Sequence, residues 1–161
     1  MSNIQHILND CSNKLREDFT EEDCKILSEA FESRQLANDE VLLREGEKDD
    51  ALSIVVSGEL TVTRSSGGND EVTLHHLYAG DVAGAMGFID GNSHTATLRA
   101  KKPTEIVSLH RDVMERMIDD HPHLVYKVMQ LIVRSVHKTV LRMDQQFVEM
   151  TNYIMKEHGR Y

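Results

Sequence analysis

The residues whose types and spacing suit them best to chemistry lie in the segment 80–100, where glycines, hydroxyl groups and one histidine occur close together. The pattern predicts the end of a strand, a glycine-rich turn, one short helical turn, a loop and a returning strand. Free backbone N–H groups at the start of a helix attract anions, and those expected here belong to Gly84, Ala85 and Met86. The segment therefore has the form of a cradle for a phosphate or another small anion.

Side chains later in the same segment can add hydrogen-bond donors to this cradle. Thr95 and Thr97 carry hydroxyl groups that can donate, and the ring of His94 can donate as well. A protonated histidine donates more strongly, and histidine changes charge between about pH 5 and pH 8. Two interpretations stay open for each residue. His94 contacts an anion or is an ordinary loop histidine, and the threonines contact a ligand or simply favour a strand.

Composition and charge narrow the classes of function. The chain has 161 residues and a formal net charge of −9, which argues against sequence-independent nucleic-acid binding because that requires a basic face. No apolar run approaches the ~18 residues of a membrane span, and the first residues lack the basic flank of a signal peptide. Cys11 and Cys24 indicate reduced thiols packed in helices. We therefore expect a cytoplasmic protein with no membrane span.

Three zones follow one another along the chain and together predict one domain. Residues 1–37 predict helices, with Thr20 and Asp23 as an N-cap pair. In residues 38–110 apolar and polar residues alternate, and glycine turns separate the short runs. Residues 111–161 predict a short helix and a long one. The predicted fold class is α+β, mainly β: a double-stranded β-helix (jelly-roll) barrel with flanking N-terminal helices and a long C-terminal helix.

The order of these elements resembles the cyclic-nucleotide-binding domain of the catabolite activator protein and protein kinase A regulatory subunit superfamily. The motifs that carry the resemblance are Glu45-Gly46-Glu47, the run IVVSGEL over residues 54–60, and Gly80-Asp81 before the cassette. The resemblance covers about residues 18–156. It implies a phosphate-binding cassette over residues 80–100, with cAMP or cGMP as the possible ligand and no other cofactor.

The resemblance assigns ligand-binding roles to positions that do not all match the family. Gly84 matches the glycine that opens the small helix. Ala85 stands where the family has a glutamate for the ribose hydroxyl, and His94 stands where it has an arginine for the cyclic phosphate. Thr97 matches a threonine beyond the arginine. On the long helix, Thr139 matches a threonine that the bacterial activator places against the purine, or it merely flanks a helix seam.

These departures predict either a weakened or re-specified anion pocket or an empty one. A hydrogen bond to a charged group contributes roughly 1.5–3 kcal/mol, so the loss of two costs about 3–6 kcal/mol, or roughly 100- to 10,000-fold in affinity. We expect a stand-alone regulatory or sensor domain that binds cAMP or cGMP weakly, or binds a different small anion. The alternative is a scaffold with a vestigial pocket that regulates a partner protein.

The long helix carries a second pattern, which concerns assembly. It is predicted to begin at Pro122, and its apolar residues recur at spacings of three and four. These residues form a heptad seam of Met129, Val133, Val136, Val140, Met143, Phe147, Met150 and Ile154. Valines at the first seam position favour two strands, so we expect a parallel homodimer that signals through this helix. The alternative is that the stripe packs wholly inside the monomer.

Other classes of function have weaker signals. The nine histidines invite a metal site of the cupin type, but His75 and His76 are adjacent and so point to opposite faces of a strand. The glycine-rich turn lacks the lysine of a P-loop, and no nucleophile–histidine pattern is present, so we predict no enzymatic activity. The bacterial activators carry a helix-turn-helix domain after the long helix. Only residues 157–161 follow it here, and we expect no direct DNA binding.

Overall fold

The computed structural model describes the backbone of residues 19–158 and the side chains of residues 19–156. The predicted helical pattern that includes Cys11 lies outside these residues. The elements are, in chain order, α1 (Glu21–Ala30), β1 (Glu32–Leu36), β2 (Val41–Leu43), β3 (Ala51–Ser57), β4 (Glu59–Ser65), β5 (Glu71–Tyr78), β6 (Val82–Ala83), α2 (Ala85–Asp90), β7 (Thr97–Ala100), β8 (Thr104–His110), α3 (Arg111–Asp120) and α4 (Pro122–His158). They fall into two compact units, a barrel unit that ends at Lys127 and a helix unit that begins at Val128.

Helix α1 begins as the sequence predicts and ends earlier. Thr20 accepts a hydrogen bond from the backbone N–H of Asp23, and the Asp23 side chain accepts one from the N–H of Thr20, which makes a complete capping box. The helix stops where Phe31 takes up an extended conformation. The prediction that the helical zone runs to residue 37 is wrong, because residues 32–36 form strand β1 and pair antiparallel with β8.

The strands form two antiparallel four-stranded sheets, and this arrangement confirms the predicted jelly roll. The first sheet has the order β1-β8-β3-β6, and the second has the order β2-β7-β4-β5. Because alternate side chains of each strand point to the same face, the apolar alternation seen in the sequence supplies one inner face per sheet. The shared core consists of Leu36, Leu43, Val55, Leu60, Val62, Leu77, Ala83, Ala96, Leu98, Ala100 and Ile106.

The two central strands of the first sheet, β8 and β3, are buried on both faces. In β3 the consecutive residues 52–55 are all buried, and in β8 both Ile106 and Val107 are buried. A strand without exposed alternate positions is covered on each side. Helix α3 packs against β8 and contributes the buried side chains of Met114 and Met117. One of these buried strands, β3, pairs with β6, which leads into the cassette.

Helix α4 begins at Pro122, as predicted, and its apolar side chains change from buried to exposed along its length. Leu124, Val128 and Ile132 are buried, whereas the seam residues are half-buried or exposed. Met129 is half-buried; the exposed members are Val133, Val136, Val140, Met143, Phe147, Met150 and Ile154. Seven of the eight seam side chains thus have no cover among the described residues, which favours a partner helix over packing inside the monomer. Within residues 19–158 no helix is both long and apolar enough to cross a bilayer.

Candidate ligand-binding cassette

The backbone of segment 80–100 has the predicted form, and Gly84 is its pivot. Strand β6 pairs with β3, the chain turns at Gly84, and helix α2 follows and ends at Gly91. Gly84 has a φ of 76°, a left-handed conformation that side chains disfavour. A Cβ at this position would also lie 2.8 Å from the carbonyl oxygen of Ala51. Both the turn and the close approach to β3 therefore require glycine here.

The predicted anion-binding N–H groups lie together at the start of α2. The first hydrogen bond of the helix runs from the N–H of Phe88 to the carbonyl oxygen of Gly84, at 3.0 Å. The N–H groups of Ala85 and Met86 precede it and have no acceptor within the helix. No side chain caps this helix. Ala85 is half-buried and Met86 is exposed, and neither side chain offers a carboxylate for a ribose hydroxyl.

His94 is held inside the molecule by the loop between β2 and β3. Its side chain is only 6% exposed, and its Nε2 lies 3.3 Å from Oδ1 of Asp49, in the geometry of an ion pair rather than a directed hydrogen bond. Its backbone N–H donates to the oxygen of Glu47, and its carbonyl accepts from Gly46, both at 2.8 Å. A Cβ on Gly87 would lie 3.0 Å from Cε1 of the His94 ring. The ring is thus enclosed between the loop and helix α2.

The two threonines of the cassette lie in different surroundings. Thr95 is exposed. Thr97 is buried, and its Oγ1 accepts a hydrogen bond of 3.0 Å from the N–H of Glu45. Its neighbours Ala96 and Leu98 belong to the barrel core, so Thr97 points to the opposite face of β7. The cassette therefore brings Thr95 to solvent and uses Thr97 to anchor the chain that leaves β2.

Thr139, the predicted contact on the long helix, lies in the helix unit. It is half-buried, and its hydroxyl donates a hydrogen bond of 3.1 Å to the carbonyl oxygen of Ser135, one turn earlier. Such a bond satisfies the hydroxyl group locally. The same arrangement recurs further along, where Thr151 donates to Phe147 at 2.8 Å.

Arg111 is a contributor to the cassette that sequence reasoning missed. It is the first residue of α3, and its Nε donates to the carbonyl oxygen of Phe88 at 2.6 Å while Nη2 donates to the carbonyl of Gly87. A cation at the C-terminal end of a helix satisfies free carbonyls and the helix dipole. The backbone N–H of Arg111 donates to Asp50 at 3.0 Å. No local pattern marks Arg111, because its acceptors lie more than twenty residues earlier in the chain.

A second charged contact joins α1 to the first turns of α4. Lys127 Nζ lies 2.5 Å from Oδ2 of Asp23 and 5.9 Å from the ring centroid of Phe19. Desolvation alone would raise the pKa of Asp23, but the hydrogen bonds from Lys127 and Thr20 outweigh it and hold the pKa below its ordinary value. Burial, helped by the charge of Asp23, raises the pKa of the Cys24 thiol. A thiol of this kind is mostly protonated and unreactive.

The histidines that raised the possibility of a metal site do not converge. His76 Nδ1 lies 2.8 Å from Glu59 Oε1. In the ladder between β4 and β5, His75 is opposite Val62 and His76 is opposite Thr61, which places the two rings on opposite faces. In the described part of the chain, no group of three or more His, Cys, Asp or Glu side chains is arranged to hold a metal ion.

Comparison with known proteins identifies the family. The chain is similar to the crystal structure of a cyclic nucleotide-binding domain from Methylobacillus flagellatus, with a TM-score of 0.82 and 26% identity over 91% of this chain and 83% of that chain. The Thermus thermophilus catabolite activator protein shares the fold, with a TM-score of 0.65 and 24% identity over 80% of this chain and 60% of that chain.

Among curated proteins, the neuropathy target esterase sws of Drosophila melanogaster is 25% identical over 149 residues, which is 88% of this chain. The chain spans about a tenth of the length of that relative. The family model for the cyclic nucleotide-binding domain matches residues 33–121, more than half of the chain. The matched range contains the barrel from the second residue of β1 to the end of β8, the cassette and helix α3. The chain belongs to the cyclic nucleotide-binding domain family.

Proposed function

We propose that this chain is a regulatory domain that binds a small anionic ligand, cAMP or cGMP in the first instance, weakly in its cassette and signals as a homodimer. The observation that carries the proposal is a contrast within the cassette. The glycine-dependent backbone is complete, with the left-handed turn at Gly84 and the N–H groups at the start of α2. The two side chains that would grip a nucleotide are replaced by Ala85 and His94.

Weak binding follows from the contacts of those two residues. Ala85 has no carboxylate, and His94 already lies beside the carboxylate of Asp49. The donors left for an anion are the N–H groups of the α2 turn and the exposed hydroxyl of Thr95. The loss of two charged hydrogen bonds reduces affinity by roughly 100- to 10,000-fold. We therefore expect dissociation constants of about 0.1–10 mM for cyclic nucleotides.

The seam of α4 supports the homodimer. Seven of its eight large apolar side chains are exposed in the single chain, which is more than scattered surface residues account for. Their spacing is that of the a and d positions of a two-stranded coiled coil, with valine at two of the four a positions. A second copy of the same helix covers this seam along its whole length, and the ligand signal passes to it through α4. The proposal includes no catalytic step.

Calorimetry on ligand-free protein tests the ligand half of the proposal. The protein is unfolded and refolded to remove any retained ligand, and cAMP and cGMP are titrated at pH 6 and pH 7.5, with 5′-AMP as the matched control. We expect saturable heat with a dissociation constant in the millimolar range and a preference for the cyclic nucleotides. Binding tighter than about 1 μM contradicts the argument from Ala85 and His94.

A second function is favoured by one observation, the burial of His94 against Asp49. If this pair never opens, the pocket is vestigial and the chain is a dimeric scaffold that regulates a partner protein. The same titration separates the two functions. The scaffold predicts no saturable heat from either nucleotide at 10 mM at either pH, whereas the sensor predicts saturation.

A further inference from the structure

The histidine in the cassette already has an anionic partner, and that partner belongs to the chain itself. We propose that Asp49 is an internal competitor for the ligand, so that an anion binds at His94 only when it displaces the Asp49 carboxylate. This inference rests on the proposed function, because it concerns the same cassette. It identifies Asp49 as a further cause of weak ligand binding, in addition to the presence of His94 where the family has an arginine.

The Asp49 carboxylate is oriented toward His94 by a hydrogen bond from the backbone of Ala51. Its Oδ1 accepts a hydrogen bond of 3.1 Å from the N–H of Ala51 and lies 3.3 Å from Nε2 of His94. Asp49 has a short side chain held on both sides, so little conformational entropy is lost when it pairs with His94. Long exposed ion pairs lose more and contribute little for that reason.

The His94 ring is enclosed as well, and among residues 19–156 Asp49 provides the carboxylate within ion-pair distance of it. Gly87 closes one side, where even a Cβ would come within 3.0 Å of the ring. Glu47 contacts His94 through its backbone oxygen, and Gly46 does so through its N–H. The β2–β3 loop therefore places the Asp49 carboxylate against His94. This carboxylate lies at the Nε2 atom that an incoming anion would have to reach.

Asp49 has an advantage over a free ligand in the competition for His94. A group tethered a few ångströms from its partner acts at an effective concentration of the order of millimolar or more. A ligand below that concentration does not displace it. Because Asp49 is 39% exposed while His94 is 6% exposed, the carboxylate is the member of the pair that can turn toward water and leave the ring.

The competitor lies on a loop that also holds the start of α3. The next residue, Asp50, lies 3.2 Å from Nδ1 of His110, and its carbonyl oxygen accepts the backbone N–H of Arg111. Arg111 in turn holds the end of α2. Displacement of Asp49 therefore perturbs a loop that contacts both the cassette and the first residue of the helical segment.

The test is a set of four proteins titrated with cAMP by calorimetry at pH 6.0: wild type, Asp49→Asn, Asp49→Asn with His94→Gln, and Asp50→Asn. We expect Asp49→Asn to bind cAMP at least about tenfold more tightly than wild type. The gain disappears when His94 is also replaced. Asp50→Asn removes the same charge from the adjacent position, and it leaves the affinity within about twofold, since Asp50 faces His110. Asp49→Ser, which keeps an acceptor for the Ala51 N–H, replaces Asp49→Asn if the latter does not fold.

Three results overturn the proposal: an unchanged or weaker affinity in Asp49→Asn, an equal gain in Asp50→Asn, or a gain that persists without His94. The variant Ala85→Glu with His94→Arg separates this failure from failure of the proposed function. If that variant binds cAMP while Asp49→Asn shows no gain, the cassette is a nucleotide site and Asp49 is not its competitor. If neither variant nor wild type binds, the proposed function fails as well.

Discussion

The barrel unit and the helix unit differ in the exposure of their large apolar side chains. In the barrel unit, large side chains such as Leu60 and Ile106 are fully buried, and even the cassette histidine has a partner in the same chain. In the helix unit, side chains as large as Phe147 are exposed. The barrel core is buried within one chain, whereas the seam of α4 is exposed in the single chain and is covered only in the proposed homodimer. Substitutions in the seam should therefore weaken the proposed dimer, whereas substitutions in the barrel unit should lower the free energy of unfolding.

The largest effect is expected from charges placed in the seam. Val140→Asp combined with Phe147→Asp puts four carboxylates into a homodimer and removes four buried apolar side chains, each worth about 1.5–3 kcal/mol. We expect the dimer dissociation constant to rise at least about 1000-fold while the circular dichroism of the barrel is unchanged. Sedimentation velocity measures the change.

Gln145→Asp is the matched control, because Gln145 is exposed on the same helix but lies outside the seam. It should leave the dimer intact. If the wild-type chain sediments as a monomer at tens of micromolar, the seam is not a dimer interface and this contrast between the two units is wrong.

The next effect belongs to the barrel unit and concerns Gly84. Gly84→Ala combines a left-handed φ with a Cβ only 2.8 Å from a backbone oxygen of β3, so we expect the free energy of unfolding to fall by about 2–5 kcal/mol. Gly80→Ala has a similar φ of 87° but open space around the Cβ, and it should cost only about 1–2 kcal/mol. The difference between the two variants in urea unfolding gives the cost of the close contact apart from the cost of the left-handed φ. Equal losses contradict the packing that we describe at Gly84.

A smaller effect is expected at Arg111. Arg111→Gln removes the guanidinium group from two carbonyls at the end of α2, and we expect a loss of about 1–3 kcal/mol in the free energy of unfolding. Arg116→Gln is the control, since its ion pair with Asp112 is exposed and joins residues one turn apart. It should cost no more than about 0.5 kcal/mol. Thermal unfolding at matched concentration compares the two.

The smallest effect is a pH dependence of stability at Asp23. Its pKa in the folded chain is lowered, so its contribution is present above the unfolded value of about 3.9 and is lost as the pH falls through the folded value. We expect Asp23→Asn to be about 1 kcal/mol less stable than wild type at pH 7. The difference should shrink below about pH 4. A constant difference from pH 7 to pH 3 shows that the charge is irrelevant.

Sequence reasoning succeeded where a local pattern governs the structure. Alternation predicted the barrel strands after β1, the pair Thr20 and Asp23 predicted the capping box, and Pro122 predicted the start of α4. The glycines of the cassette also predicted its turn and short helix. Each of these signals depends on residues a few positions apart.

Sequence reasoning failed where contacts between distant segments of the chain determine the structure. Strand β1 has four exposed residues and only Leu36 buried, so it carries no alternation, and its pairing with β8 makes it a strand. The partners of His94 and Arg111 lie in other parts of the chain. No local spacing in the sequence predicts that Asp49 lies beside His94, because the two residues are far apart in the chain.

The most direct test of the account compares cAMP binding by wild type and by Ala85→Glu with His94→Arg in one calorimetric experiment after refolding. In the proposed function the cassette keeps its backbone, and the side chains at positions 85 and 94 are the main limit on its affinity. We predict that the double variant binds cAMP at least about 100-fold more tightly than wild type. Equal affinities in the two proteins would contradict the account, because the pocket would then differ in shape and not only in those two contacts.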